Sequence, residues 1–183
     1  MRRESIAERR ERRAAVDDPE VVFAAAARFL ETRARSIAEV RRRLTSAGYR
    51  ADLVDRAIER LTELGILDDA AFAQAWIESR DRARPRGERA IRDELRLKGV
   101  ERAIVDATLD ERRDVDGQGH ELAAARALIQ RNRRTLERVA DPRQRRQRAY
   151  ALLARHGFDP DTCREVAAGL GVQDELTPGD GDS

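Results

Sequence analysis

Leu30-Glu31-Thr32-Arg33-Ala34-Arg35 returns as Ile77-Glu78-Ser79-Arg80-Asp81-Arg82, and that recurrence decides the fold. Each copy is led by an aromatic residue, Phe29 or Trp76, and three residues earlier by an alanine, Ala26 or Ala73. A weaker third copy runs from Ala125 through Leu128-Ile129 to Asn132-Arg133. Downstream of each copy lies a second matched block: Leu44 with Gly48-Tyr49, Leu95 with Gly99-Val100, and Leu153 with Gly157-Phe158. A period of about fifty residues with helical spacing inside it marks tandem helical modules, each too small to bury its apolar face alone. The expected fold is all-α: three tandem three-helix repeats in an elongated, curved array.

Within the first repeat, a helix from about Pro19 to Arg35 presents Val22, Ala26, Phe29 and Leu30 on one side. Ser36-Ile37-Ala38-Glu39 then forms a capping box, in which the serine hydroxyl takes an orphan backbone N–H and the glutamate reaches back. The second helix turns Val40 and Leu44 inward and stops at Gly48. The third carries the stripe Leu53, Val54, Ala57, Ile58, Leu61 and Leu64 and stops at Gly65. Repeat two follows the same plan but inserts an arginine-rich, proline-broken loop, Arg80 to Arg89. Repeat three adds Asp141-Pro142-Arg143-Gln144, a cap with proline at the first helical position, and starts its last helix at Asp159-Pro160. These signals divide the chain into a charged, disordered leader (1–19), repeat one (20–69), repeat two (70–110), a linker (111–120), repeat three (121–171) and an acidic, disordered tail (172–183).

Composition narrows the chemistry. Of the 183 residues 4% are aromatic and 39% charged, which suits thin modules better than one thick core. The formal net charge is +2, but residues 174–183 hold four acids and no base, leaving +6 on residues 1–173. Among 37 basic side chains 36 are arginines; codon bias explains this as readily as selection for a guanidinium fork that matches phosphate and carboxylate. The single cysteine excludes an intramolecular disulfide, and two histidines are too few to complete a zinc site with it. The chain reads as cytoplasmic: no run approaches the ~20 apolar residues of a membrane span, and the N-terminus lacks a signal-peptide core.

The chemistry-bearing residues are weighed against structural roles. Arg80, Arg82, Arg84, Arg86 and Arg89 suit a phosphate or an acidic protein surface, or a merely solvated loop. Arg41 and Arg43 belong to a triplet fanned over about 200° of helix, so only part of it can face one partner. Arg131, Arg134 and Arg138 fall on one helical face, and Arg145, Arg148 and Arg155 do much the same on the next helix, making a candidate basic stripe. Trp76 occupies the core position of Phe29 and Leu128 rather than a base-stacking one. Asp68-Asp69 reads as a helix cap rather than a metal-binding pair, and His156 with Cys163 lacks a third ligand. No phosphate-cradling glycine loop appears, so no cofactor and no catalytic residue is assigned.

Gly65-Ile66-Leu67-Asp68-Asp69 with Phe72-Ala73, the Arg80–Gly87 segment with Ile91, Glu94-Leu95 and Lys98-Gly99-Val100, and Arg155-His156-Gly157-Phe158 together resemble the RecX family of recombinase regulators. The resemblance covers about residues 20–170. It implies a non-enzymatic protein of three three-helix repeats that binds the RecA recombinase and lodges in the groove of its filament on single-stranded DNA; the chain itself is expected to be a monomer. There it would restrain ATP hydrolysis, strand exchange and co-protease activity; duplex DNA is a further candidate partner, and a membrane is not. Two alternatives stay open at this point: a helical protein acting directly on nucleic acid, and an α-repeat adaptor for another protein.

Overall fold

The computed structural model describes residues 5–116 and 119–172. Among them the secondary structure is entirely helical: α1 (Ile6–Ala14), α2 (Pro19–Leu30), α3 (Ile37–Ala47), α4 (Ala51–Glu63), α5 (Asp69–Ala83), α6 (Glu88–Lys98), α7 (Arg102–Asp116), α8 (Gly119–Arg131), α9 (Arg133–Glu137), α10 (Pro142–Arg155) and α11 (Pro160–Val172). The local signals act as their chemistry requires. Ser36 caps α3 with both halves of its capping box formed, and Asp18 and Asp141 cap the prolines that open α2 and α10. Gly48, Gly99 and Gly157 end the second helix of each repeat at φ of 103°, 80° and 79°, backbone that only glycine adopts without strain. No described helix is long and apolar enough to cross a membrane.

The chain forms two compact units that divide inside the middle repeat. One comprises residues 1–74 and 95–105, the other 75–94 and 106–183. In the first unit α2, α3 and α4 enclose Val22, Ala26, Val40, Leu44, Leu53, Val54, Ala57, Ile58 and Leu61, with Leu67 closing the cluster. Full burial of the valine, leucine and isoleucine side chains among them stabilises by about 1.5–3 kcal/mol each. In the second unit Ala125, Leu128 and Ile129 of α8 meet Leu136, Ala149, Leu153, Phe158, Cys163, Val166 and Ala167. The Cys163 thiol is buried and donates to the Phe158 carbonyl, and burial pushes its pKa up, so it behaves as a small core residue.

Each unit contains one joint between repeats, and the two joints share a plan. In the first unit the buried Ser36 hydroxyl donates to the Lys98 carbonyl at the end of α6 (2.6 Å), and the Ile37 N–H donates to the Asp69 carboxylate (2.9 Å). In the second unit the Gly87 N–H donates to the His156 carbonyl at the end of α10 (3.0 Å), and the Glu88 N–H donates to Glu121 (3.3 Å). The start of one repeat's second helix thus abuts the end of the next repeat's second helix, and an acid near the start of the next repeat's first helix, Asp69 of α5 or Glu121 of α8, takes its orphan amide. Close approach fixes the residue type at Gly87, where a Cβ would overlap the backbone of Gly157 and Phe158.

Four expectations are corrected. The leader expected to be disordered contains α1, whose Ser5 and Glu8 form a capping box that the run of arginines and glutamates obscured. The linker expected at 111–120 is largely helical, because α7 continues to Asp116 and α8 begins at Gly119. Residues 80–89 are less of a loop than expected: α5 runs to Ala83 and α6 starts at Glu88, leaving only Arg84–Gly87 between them. The stack of Arg80 on Trp76 and the Glu78–Arg82 ion pair, both at i,i+4, carry α5 past the expected stop. Leu64 lies beyond the end of α4 and is exposed rather than part of its apolar stripe. The tail from 173 onward lies outside the described residues.

Candidate recognition site

The arginines that end α5 meet a carboxylate to which the sequence assigns no partner. Glu94 of α6 accepts from the Trp76 indole N–H (2.8 Å) and from Arg80 Nε (2.6 Å), and Arg86 Nε approaches it at 3.6 Å. The Arg80 guanidinium also lies 4.3 Å from the Trp76 ring centroid. Trp76 is therefore half-buried and hydrogen-bonded, not the fully enclosed core residue expected from its position. Arg80 and Arg86 are committed to Glu94, and the Arg86 Nε is buried without a hydrogen-bond partner. The sequence places Glu94 beside Leu95 in the motif set that resembles the RecX family but names no partner for it, because the arginines and the Trp76 indole it gathers lie 8 to 18 residues away, in α5 and the α5–α6 connection.

Arg82 and Arg84 are exposed at the end of α5. Arg82 pairs loosely with Glu78 at 3.6 Å, and Arg84 pairs with no carboxylate among the described residues. Arg131, at the end of α8, reaches back to the Ala83 carbonyl (2.5 Å) and the Arg82 carbonyl (2.8 Å). It satisfies two C-terminal carbonyls of α5 and brings its own charge beside Arg82 and Arg84. On the other side of the α5–α6 connection, Arg89 is exposed on a cleft of about 880 Å³ that also holds Arg92, Arg112, His120, Glu121 and Tyr150. Beneath it Arg112 clasps the Asp81 carboxylate at 2.7 and 2.8 Å, and His120 Nε2 lies 3.1 Å from the same group.

The expected stripe of Arg131, Arg134 and Arg138 is interrupted. It required one continuous helix, but the chain breaks at Asn132, where the side-chain amide bonds back to the Leu128 carbonyl (2.9 Å) and α9 restarts. Arg134 lies on α9 and Arg138 at its end; both are exposed and pair with no carboxylate among the described residues. On α10, Arg145 is half-buried and donates to the Val139 carbonyl (3.1 Å). Arg148 and Arg155 are exposed and only about 20° apart around the helix; Arg155 donates to the Ala151 carbonyl of its own helix, and Arg148 has no partner among the described residues. Segment 131–156 holds nine arginines and two acids, Glu137 and Asp141, and Tyr150 is exposed among them.

Arg41 and Arg43 lie on α3 in the other unit. Arg41 pairs with Asp55 of α4, and Arg43 lies 5.6 Å from the Phe29 ring with no carboxylate among the described residues. Asp68 accepts from the Ala70 and Ala71 amides at 2.8 and 3.0 Å, as expected of a cap, whereas Asp69 turns into the joint. Burial pushes the Asp69 and Glu121 carboxyls up, while Glu39, despite the opposing effect of burial, is held at about 2 by Arg33, Lys98 and the Ser36 amide.

Sequence models of the first, second and third three-helix domains of RecX match residues 23–61, 68–109 and 120–167. The chain belongs to the RecX family. The regulatory protein RecX of Mycolicibacterium vanbaalenii is 34% identical over 145 residues, with 76% of each chain covered. That of Chlorobium phaeobacteroides is 33% identical over 149 residues, covering 81% of this chain and 93% of its own. The crystal structure of RecX from Lactobacillus salivarius superposes with a TM-score of 0.73 at 19% identity, over 85% of this chain and 98% of that one. A second crystal structure of regulatory protein RecX gives 0.68 at 17% identity, over 89% and 73%. These two share the RecX fold, and α1 precedes the first matched domain.

Proposed function

We propose that this RecX-family chain regulates the RecA recombinase by binding its filament on single-stranded DNA, restraining ATP hydrolysis, strand exchange and co-protease activity without making or breaking bonds itself. The observation that carries the reading is the match to all three RecX domains in order. The surface chemistry supports it: Arg84, Arg89, Arg134, Arg138 and Arg148 are exposed with no carboxylate partner among the described residues, so their forks remain open to phosphate or to acidic side chains. Arg80, Arg86 and Arg131, offered by the sequence as contacts, act in this reading as supports that position the open ones.

The test is the DNA-dependent ATPase of the cognate RecA, titrated with the full chain at fixed salt. Inhibition well below one regulator per recombinase is the expected result, and it should weaken when Arg84, Arg134, Arg138 and Arg148 are replaced together by glutamate. Inhibition only when the DNA is saturated would transfer the function to plain competition for the strand.

A further inference from the structure

Four arginines from two helices open on one cleft that is lined by no carboxylate among the described residues. Ile6, Arg9, Arg10 and Arg13 of α1 face Arg43, Ser46 and Ala47 of α3 across a space of about 300 Å³. The cleft is built rather than accidental. The Arg13 guanidinium donates to the Ala47 carbonyl (3.3 Å) and lies 5.6 Å from the Tyr49 ring centroid, which ties α1 to the end of α3. The backbone of Arg10 seats against Gly48 so closely that a Cβ there would lie 2.8 Å from the Arg10 carbonyl oxygen. Glu8 is turned away to the Ser5 amide (2.6 Å), and neither it nor Glu11 lines the cleft, whereas three of the four arginines of α1 do.

Arginines of this unit differ in whether a carboxylate answers them: Arg28, Arg42 and Arg56 have none among the described residues, and three of the four in this cleft share that condition while lying together. Arg33, Arg41, Arg50 and Arg60 each pair with a carboxylate, whereas Arg9, Arg10 and Arg43 pair with none among the described residues. Four guanidinium groups brought together without a counter-charge repel one another, and an anion in the cleft relieves that repulsion. Arg9 and Arg13 stand one helical turn apart, about 6 Å, a spacing that successive phosphates of a flexible strand can match. Ile6, 72% exposed on the rim, offers apolar surface to a sugar or base edge, which a chain of carboxylates would not use.

We propose that α1 and α3 form a phosphate-binding cleft for single-stranded nucleic acid, contributed by a segment that precedes the matched RecX domains. The proposal deepens the DNA side of the functional reading above. Its test is the anisotropy of a fluorescein-labelled oligo-dT of about 30 nucleotides, titrated with the full chain and with the Arg9→Ala/Arg10→Ala/Arg43→Ala variant across a salt series. The expected result is binding about tenfold weaker at low salt, with the slope of log affinity against log salt reduced by about 2, since each phosphate contact on a single strand contributes about 0.7. The thermal melt should stay nearly unchanged, because Arg9 and Arg10 hold no ion pair among the described residues and Arg43 gives up only its 5.6 Å approach to the Phe29 ring. Equal affinity and slope would overturn the proposal, as would loss of binding to polyglutamate with oligo-dT binding intact, which would assign the cleft to an acidic protein. RecA inhibition, measured separately on the unaltered chain, decides the functional reading without bearing on this comparison.

Discussion

Asp69 shows how one side chain can carry two sequence signals of unequal visibility. Beside Asp68 it looks like a cap for its own helix, yet it is only 8% exposed and spends its carboxylate on the Ile37 amide of α3. Asp69→Ala leaves that part-buried amide without its acceptor, at about 1 kcal/mol or somewhat more. Asp69→Asn keeps an acceptor oxygen and removes a buried charge, so its melting temperature should stay near that of the unaltered chain. Denaturant unfolding of the two variants checks the pair, and equal losses would show that the charge, not the acceptor, matters. Trp76 was misread for a related reason. Its spacing marks the apolar face correctly, but spacing cannot reveal that Glu94 and Arg80 lie along the ring's edge and face.

Among elements, the helices and their ends were the most legible part of the chain. Ser36 with Glu39, Asp141 with Pro142, and the helix-ending glycines act within a few residues of themselves, so their chemistry can be read locally. What escaped reading is long-range: Glu94 gathering Arg80 and Arg86, Arg131 crossing to α5, and the break at Asn132 that divides a promised stripe. Arginine-rich segments hide their partners because every arginine looks equally available until packing assigns the acids. The α6 start offers a direct test. Gly87→Ala drives a methyl group into the backbone beyond α10, and overpacking of that kind costs about 1–3 kcal/mol. Circular dichroism melting should register the loss, and an unchanged melt would mean the joint yields freely.

At the scale of the whole molecule, three carboxyls shape the response to acid. Glu39, held at about 2 against its usual 4.5, contributes stability at neutral pH that disappears as pH falls from about 4.5 toward 2. Asp69 and Glu121 are shifted up by burial, so their ionised forms oppose folding, and protonation relieves that opposition as pH falls through their folded values. Urea unfolding across pH should therefore show stability level or rising on mild acidification and falling steeply below about 4.5. Asp69→Asn with Glu121→Gln should remove the upper feature, and Glu39→Gln should soften the lower one. A monotonic decline from neutrality in the unaltered chain would contradict this assignment.

The joints also order events in time. The first amide of α6 waits for Glu121, and Gly87 waits for the His156 carbonyl, both made later as the chain leaves the ribosome. During synthesis the middle repeat remains open at one end until the third has emerged, so a ribosome stalled between them holds a nascent chain whose second module is still unfinished.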